Sequence, residues 1–369
     1  MGWQGGKFHA QGFQINDAQN MNAADYVGSL ADPSNIDAYA TTRLYTLWFE
    51  QSFGSVASIR VGQLAADDEF LGSETAGGLI NGTFGWATIM SSNLPSGGPA
   101  YPLATPGVRV QINPSQNVSL LAAVFSGDPA GPGCYTNNPD ANPQTCNRYG
   151  TTFSFSGGAF WIGELQYNAN QEEDSTGYAA SYKVGAWYHS GQFADQQYGV
   201  TETGIVVPLA LDPAYPLYHR GDWGLYGVFD QMIWRNGDAK ASVFVRGGIV
   251  PTDRNLESWY IDGGIGFKGF VPGRADDKLT IGVAYSKISP DAIAADRDIA
   301  ATNPAWPLRS GEPVLEVSYI AQVTPWWSVQ PDFQVIWKPG GNVPLDEEDL
   351  ALGTVPTAYL FGVRTTVTF

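Results

Sequence analysis

The sequence predicts an all-β protein, namely a transmembrane antiparallel up-and-down β-barrel with a long loop folded into its lumen. Three observations lead to this fold class. Apolar and polar residues alternate with a period of two along the chain. The apolar runs are far shorter than the ~20 residues of a membrane helix. Short and long connections alternate between the predicted strands, and the whole chain, 1–369, is interpreted as one domain.

The composition favours strands and argues against one class of partner. Glycine occurs 44 times and aromatic residues make up 13% of the chain, whereas charged residues make up only 15%. This mixture suits strands and turns better than helices rich in Ala, Glu, Lys and Leu. The 19 Lys and Arg against 36 Asp and Glu give a net charge of −17, which argues against nucleic acid as a partner.

The period-two pattern delimits the individual strands. In VQPDFQVIW, Val329, Phe333 and Val335 lie on one face, and Asp332 and Gln334 lie on the other. No convincing helical period interrupts the series. Fourteen strands are predicted, at residues 6–16, 38–53, 56–64, 107–113, 117–126, 156–168, 176–189, 222–235, 240–250, 257–269, 278–288, 313–323, 326–338 and 357–369.

The connections between the predicted strands alternate between short and long along the chain. The connections after even-numbered predicted strands are short, and PTDRN is the one short connection after an odd-numbered strand. A soluble β-sandwich or propeller would not separate loop lengths in this way, whereas an outer-membrane barrel has tight periplasmic turns and long external loops. We therefore expect a Gram-negative outer-membrane protein with both termini in the periplasm. The long connections are 17–37, 65–106, 127–155, 190–221, 289–312 and 339–356.

The polar face of each strand would point into the lumen, so its charged side chains are candidate pore-lining residues. Arg43, Arg60 and Arg109 fall on three consecutive predicted strands and are expected to form a basic ladder on one wall. The alternative is that such side chains bridge neighbouring strands or anchor a loop. The other strand candidates are Lys183, Arg246, Asp262, Glu316, Asp332 and Arg364.

The segment 65–106 is too long and too aperiodic for a loop that only joins two strands. We expect it to fold into the lumen and narrow it, with an external cap as the alternative. If it lies opposite a basic wall, its acidic residues would create a transverse field across the constriction. Its candidate site residues are Asp67, Asp68, Glu69, Phe70 and Trp86.

Two cysteines lie in a loop-like stretch. Cys134 and Cys146 flank Asn, Pro and Asp residues in CYTNNPDANPQTC, which predicts a disulfide formed in an oxidising compartment. A pair of free thiols is the alternative. The start MGWQGGKF lacks the regions of a signal peptide, which is expected after removal of a leader or for an internal fragment.

Enzymatic chemistry has little support in the sequence. His9, His189 and His219 are scattered, and the chain contains no metal-binding spacing, nucleophile elbow or phosphate-binding loop. We therefore predict no catalytic residue, no metal and no cofactor. The acidic run 346–349 is interpreted as a solvated surface, or as a divalent-cation site near lipopolysaccharide.

The mixture of arginines, carboxylates and aromatic rings suits sugars. Hydroxyl groups both donate and accept hydrogen bonds, so they pair with either charge, and weak multiple contacts let a solute pass without being trapped. A pore for anions alone should show a strong basic excess, which this chain lacks.

Motifs of one known family are spread over nearly the whole chain. They include RLYTLWFEQSFG, IRVGQLAADDEFLGSE, INGTFGW, NLPSGGPAYPLATPGVRV, GGIVPTDRNLESWYIDGGIGFKGFVPGRADDKLTIGVAYSKISP and GVRTTVTF. In these stretches the chain resembles the carbohydrate-selective outer-membrane porins of the OprB type. The resemblance implies a passive diffusion channel for monosaccharides that prefers glucose-like sugars. It also implies a constriction around Asp67, Asp68, Glu69 and Phe70 with Trp86 nearby, and Arg60 and Arg109 on the adjoining wall.

The chain departs from this family in strand number. The family's barrels have sixteen strands, two of them before the equivalent of GGKFHA, whereas fourteen are found in this chain. Either the two strands lie outside this chain or it closes as a smaller and narrower barrel. Small sugars, outer-membrane lipid and lipopolysaccharide are the expected partners, as a monomer or homotrimer. The alternatives for function are a general or anion-type porin, and an outer-membrane adhesin or enzyme.

Overall fold

A computed structural model describes residues 3–17, 22–131, 134, 142–172 and 175–369, and nearly all of its regular structure is strand. The strands are β1 (Gly6–Ile15), β2 (Thr41–Phe53), β3 (Ala57–Leu64), β4 (Thr105–Ile112), β5 (Val118–Ser126), β6 (Ala159–Ala169), β7 (Ala180–Val200), β8 (Val206–Pro208), β9 (Tyr215–Asn236), β10 (Ala239–Ile249), β11 (Glu257–Lys268), β12 (Lys278–Ile288), β13 (Gly311–Thr324), β14 (Trp327–Ile336) and β15 (Ala358–Val367). The α-helices are α1 (Ala23–Val27), α2 (Thr88–Ser91), α3 (Pro143–Cys146) and α4 (Pro290–Thr302). Short 3₁₀ turns occur at Ala76–Gly78, Gly82–Phe84, Pro95–Gly97, Leu209–Leu211, Pro339–Gly341 and Leu350–Leu352.

All of these strands belong to one antiparallel sheet that follows the order of the sequence. Each strand pairs with the next along the chain, except that β7 pairs with both β9 and the short β8. The all-β antiparallel meander is therefore confirmed, and all fourteen predicted strands are present, with β8 as a fifteenth.

The segment 190–221 was expected to be a long loop, and this prediction is wrong. Strand β7 continues to Val200 and β9 begins at Tyr215, so the two form an extended hairpin. Register shifts interrupt their pairing between His189 and Gln192 and between Ala194 and Gly199. At a bulge the side chains stop alternating between the two faces of the sheet, although the strands remain paired. The period-two pattern therefore stops at residue 189, whereas the strand itself continues.

Helix α4 was also missed, because its residues fall in the predicted loop 289–312. The Ser289 side chain accepts a hydrogen bond from the Ala292 N–H, and Pro290 occupies the first turn. A Ser N-cap followed by Pro is a recognised helix start, so the signal was present. Among the described residues, the helices are all too short or too polar to cross a membrane.

The two ends of the sheet differ in their connections. Residues 54–56, 113–117, 237–238, 269–277 and 325–326 are the shorter connections and lie at one end, where the chain also passes from β6 to β7. We call this the short-turn end. The long connections lie at the opposite, long-loop end, where 250–256 is a short exception. There Cys134 and Cys146 form a disulfide with an S–S distance of 2.10 Å; residues 135–141 between them lie outside the described residues.

The sheet curls around the segment 65–104, which we call the inner segment. Buried side chains of this segment, including Phe70, Leu79 and Phe84, form a core with inward residues of the strands such as Phe160 and Phe244. Inward glycines permit this close contact. A Cβ on Gly282 would lie only 2.4 Å from Leu79 Cδ1 and one on Gly78 only 2.2 Å from Thr280 Oγ1, so side chains at these positions would push the segment off the wall.

Strands β1 and β15 are the two edges of this sheet. Among the described residues no ladder joins them, so the pairing that would close a fourteen-stranded barrel is not formed here. Aromatic residues on both edges are largely exposed, as Phe8 and Phe361 show.

Candidate functional site

Four charged residues lie in register across the first four strands. On β2, Glu50 pairs with Lys7 of β1 on one side and with Arg60 of β3 on the other. Arg60 in turn pairs with Arg109 of β4. Paired residues on one face of a sheet have Cβ atoms about 4.5–5.5 Å apart, so this row brings opposite charges into contact.

Three residues of this row, without Lys7, join Glu69 from the start of the inner segment in a set of ion pairs that we call the four-charge ring: Glu50, Arg60, Glu69 and Arg109. Arg60 contacts Glu50 at 3.0 Å and Glu69 at 2.8 Å. Arg109 contacts both Glu50 and Glu69 at 2.7 Å. Each arginine therefore bridges both glutamates. Two positive and two negative charges cancel, so the ring is neutral while it remains rich in donors and acceptors.

The ring presents three of its members to the interior space. The Arg109 side chain is only 3% exposed, whereas those of Arg60, Glu50 and Glu69 are 16%, 15% and 18% exposed. Arg60 also stacks on Trp48, with 3.9 Å between the guanidinium carbon and the ring centroid. His9 stacks with the same indole at 4.7 Å. The indole thus packs against the Arg60 guanidinium and restricts its orientation.

The expected basic ladder is not formed, because Arg43 does not join Arg60 and Arg109. A register shift in the pairing of β1 with β2 leaves Tyr45 without a partner, so inward positions change from odd to even along β2. Arg43 lies toward the long-loop end, buried, where its Nη2 donates to the Asn147 carbonyl at 2.7 Å. Glu50, which the sequence reasoning missed, occupies the position opposite Arg60. Because Glu50 lies an odd number of residues from Arg43 in RLYTLWFE, strict alternation places it on the opposite face, and only the bulge at Tyr45 brings it inward.

The three consecutive acids of the inner segment have separate environments. Glu69 belongs to the ring, and Asp68 is exposed. Asp67 accepts hydrogen bonds from the Tyr101 N–H at 3.0 Å and from the Tyr45 hydroxyl at 3.4 Å. The expected transverse field does not arise from Glu69, because this carboxylate lies against the same wall as the arginines and neutralises it.

The two aromatic candidates of the inner segment are part of the core. Phe70 is fully buried among apolar side chains. Trp86 is buried too, and its Nε1 donates to the Gly97 carbonyl at 2.9 Å within the same segment. Both rings therefore stabilise the inner segment and present little surface to a solute.

Arg246 of β10 and Asp262 of β11 attach the inner segment to the sheet. Arg246 Nε donates to both Asp262 carboxylate oxygens at 3.1 Å. Its remaining N–H groups donate to the carbonyls of Leu71, Thr83 and Gly85 at 2.9–3.0 Å. The two side chains are 1% and 0% exposed. One guanidinium thus holds three points of the inner segment, which is the anchoring role weighed for such residues from the sequence.

Other inward residues hold the same segment along the sheet. Lys183 donates to the Gly72 carbonyl at 2.7 Å. Glu316 accepts from the Ile80 and Asn81 N–H groups at 2.6 and 2.8 Å. Residues not singled out from the sequence take part too. Three of them accept hydrogen bonds from the inner segment: Glu164 from the Leu71 N–H, Asp230 from Ser73 and Thr75, and Glu257 from the Thr88 hydroxyl. The fourth, Gln330, donates a hydrogen bond to the Gly78 carbonyl.

The remaining two candidates lie beside the first long connection. Arg364 of β15 donates to Asn35 Oδ1 at 2.7 Å and to Ser34 Oγ at 3.2 Å. Asp332 of β14 accepts from Gln334 Nε2 at 2.9 Å, and the same amide nitrogen donates to the Pro33 carbonyl at 2.8 Å. These contacts connect the last two strands to residues that follow β1, across the space between the two edges.

Among the described residues, no group of three or more His, Cys, Asp or Glu side chains could hold a metal ion. In the acidic run, Asp346 Oδ1 accepts from the N–H groups of Glu348 and Asp349 at 2.8 and 3.3 Å.

Asp32, at the long-loop end, holds helix α1 in place. Its carboxylate accepts from the Ala24 N–H at 3.2 Å, and its carbonyl accepts from the Gly82 N–H at 2.8 Å. Burial, together with the nearby Asp37 and Asp25 charges, raises the pKa of Asp32 from its ordinary 3.8 to about 7. The protonated carboxyl is therefore favoured by the folded loop.

We expect the residues 22–37 to be held less firmly as the pH rises. Because the folded pKa of Asp32 lies above the unfolded one, the contribution of this group to stability is greatest at low pH and declines until the pH passes about 7. Amide hydrogen exchange in this segment, corrected for intrinsic rates, should be faster at pH 8 than at pH 5. Asp32→Asn should remove most of that difference, whereas the exposed control Asp212→Asn should retain it. An unchanged pH dependence in Asp32→Asn would assign the effect to another group.

Comparison with known proteins places the chain in a family. The carbohydrate-selective porin, OprB family, matches residues 1–369. Porin B of Pseudomonas aeruginosa is 26% identical over 230 residues, which cover 60% of this chain and 49% of that relative. The match thus spans about half the length of the curated relative.

Solved structures support the same fold. The high-pH structure of Pseudomonas putida OprB has a TM-score of 0.80 and 20% identity, covering 100% of this chain and 84% of that one. At this identity the likeness concerns the fold alone. The trimer form of Vibrio cholerae OmpT has a TM-score of 0.45 and 10% identity, over 89% of this chain and 81% of that one, which is too weak to carry an argument.

The family match is thus complete in length, and the fold of a known member is reproduced over the whole chain. The sheet order, the inner segment and the charged wall beside it are consistent with both findings. The chain belongs to the OprB family of carbohydrate-selective porins.

Proposed function

We propose that the protein is a passive channel of the Gram-negative outer membrane that conducts neutral monosaccharides of the glucose type. The four-charge ring carries this proposal. Its two arginines and two glutamates contact one another at 2.7–3.0 Å. Because the charges are balanced within the ring, a passing ion gains little from it, whereas a hydroxyl group can donate to a carboxylate oxygen or accept from a guanidinium.

The inner segment supplies the constriction in this proposal. It carries Glu69 into the ring and is attached to strands from β6 to β14, so it reduces the open space to the side of β1–β4. A polar passage with several weak hydrogen-bonding groups lets a sugar exchange water for protein contacts step by step. Asp68, Glu50 and Arg60 are the side chains that we expect sugars to meet.

The outer face of the sheet suits lipid. Aromatic residues on this face are exposed over many strands, as expected for a barrel wall with interfacial girdles. We propose that the short-turn end faces the periplasm, with outer-membrane lipid and lipopolysaccharide as neighbours. Oligomeric state, monomer or homotrimer, remains a prediction. The exposed aromatics include Trp161, Tyr167, Tyr182, Tyr188, Trp223, Phe229 and Trp259.

Liposome swelling tests the proposal directly. Liposomes that contain the protein should swell faster in isosmotic glucose than in a disaccharide, and a salt gradient across a planar bilayer should give only weak ion selectivity. Protein-free liposomes and heat-denatured protein are the controls. Equal rates for all solutes would favour a general porin, and a strong preference for anions would favour an anion-type porin. Surface binding without any conductance would favour an adhesin.

A further inference from the structure

Four basic residues lie side by side at the short-turn end, on four consecutive strands. Lys240 of β10 pairs with Arg235 of β9 and with Lys268 of β11. Lys268 pairs in turn with Lys278 of β12. We call these four residues the basic row. Like charges directly opposite one another in a sheet are destabilising. The basic row therefore lowers the stability of the fold, which points to a functional role for these residues.

The basic row faces the interior of the sheet. Side chains two residues apart on a strand share a face. Lys240 is six residues from the inward Arg246 on β10, and Lys268 is six residues from the inward Asp262 on β11. Lys278 is two residues from the buried Thr280 on β12. The row is therefore on the same wall as the anchors of the inner segment, but nearer the short turns.

The charges of the row are little neutralised. Lys268 is 3.5 Å from Asp276, and both side chains are well exposed to solvent. Arg235 donates to the Thr176 carbonyl at 3.1 Å. Within the part of the chain that the structure describes, Lys240 and Lys278 form no ion pair. Neither ammonium group is therefore neutralised by a carboxylate of the described residues.

A cavity of about 260 Å³ lies against the basic row. Glu74 of the inner segment and Glu172 of the connection between β6 and β7 also line it. Asp230 borders it too, but the carboxylate of Asp230 already accepts from Ser73 and Thr75. Pockets for drug-sized ligands measure about 300–1,000 Å³, so this smaller cavity suits a molecule of monosaccharide size. The cations and carboxylates in its lining would orient such a molecule.

We propose that the basic row is a binding site for monosaccharides that carry one anionic group, a carboxylate or a phosphate. The anion contacts Lys240 and Lys278, and the hydroxyl groups of the ring lie toward Glu74 and Thr280. The role of this site in permeation rests on the proposed channel function. In that channel, an anionic sugar would bind at the basic row in a step separate from its passage of the neutral four-charge ring. Its binding chemistry does not depend on that function.

Equilibrium binding to the purified full chain in a neutral detergent tests the site. Glucose 6-phosphate and gluconate should bind in calorimetric titrations at low salt, and glucose should bind far more weakly. Lys240→Gln/Lys278→Gln should weaken both anionic sugars at least ~10-fold, equivalent to ~1.4 kcal/mol. Lys338→Gln, which removes one lysine charge at the long-loop end, should leave the affinity for both anionic sugars unchanged. Heat-modifiable migration on gels verifies that each variant is folded.

The outcomes separate this proposal from the channel function. Unchanged binding in the double variant, an equal loss in Lys338→Gln, or no binding of anionic sugars by the native chain would each overturn the site. Inorganic phosphate that binds as tightly as glucose 6-phosphate would overturn its assignment to sugars. Glucose swelling is measured on the same proteins, and its absence, with binding retained, would overturn the channel function alone.

Discussion

Replacing Arg246 with alanine is expected to loosen the inner segment and to destabilise the protein more than any other single change considered. The side chain is 1% exposed, bonds to Asp262 and donates to three carbonyls of the inner segment. Removal of one partner from a buried ion pair costs about 3–5 kcal/mol because the other charge is left uncompensated. Leu71, Thr83 and Gly85 would also lose a donor.

Two measurements follow the consequences of Arg246→Ala. Resistance to heat or urea, read from heat-modifiable migration, should fall clearly. Single-channel conductance should rise and fluctuate, because a segment that fills the lumen would no longer be held at three points.

The matched control for Arg246→Ala is Arg297→Ala, at an exposed arginine of helix α4. That change should have little effect, since substitutions of exposed side chains usually change stability by less than about 0.5 kcal/mol. If the two variants had the same stability and conductance, Arg246 would not be an anchor.

Replacing Glu69 with glutamine is expected to change the selectivity of the channel with little change in its fold. The substitution leaves Arg60 and Arg109 with Glu50 as their only carboxylate, so the ring gains one net positive charge. In a space shielded from bulk water that charge attracts anions. The reversal potential in a salt gradient should move toward anion selectivity, and glucose swelling should slow, because an acceptor for sugar hydroxyls is lost.

A second variant separates charge from shape. Arg60→Gln/Glu69→Gln restores neutrality, so its reversal potential should return toward that of the native protein while sugar permeation stays impaired. Glu348→Gln makes the same chemical change at an exposed position of the long-loop end and should alter neither quantity. If Glu69→Gln left both ion selectivity and sugar uptake unchanged, the constriction would lie elsewhere in the lumen.

The strands could be predicted from the chain because each pattern is local. Val329, Phe333 and Val335 on one face and Asp332 and Gln334 on the other define β14 without knowledge of any partner strand. The same locality explains the errors. Bulges near His189 and Tyr45 shift the faces in mid-strand. Pairing across the bulge, which no local pattern reports, decides which side chains continue inward.

The composition of the site depended on contacts that are distant in sequence. Period-two reasoning predicted Arg60 and Arg109 as lumen residues, and the aperiodic segment 65–106 supplied Glu69 as a candidate. Neither argument could choose Glu50 over Arg43 as their companion. That choice is set by the register of β2 against β3. Likewise, most of the other residues predicted to line the lumen bind the inner segment instead. These contacts join residues more than 150 positions apart in the sequence, as in the hydrogen bond from Arg246 to the Thr83 carbonyl.

The sequence alone therefore predicted the fold class, the positions of the strands and the family resemblance. Alternation, loop length and motifs are local features, so they can be recognised without knowing any contact between strands. The curled sheet decided which charges meet. The wall that was expected to be basic is neutral, because Arg60 and Arg109 each contact both Glu50 and Glu69. The curled sheet also gathered Arg235, Lys240, Lys268 and Lys278 into one row. The physical reason is that an electrostatic environment depends on distances between strands, and those distances exist only once the register is set.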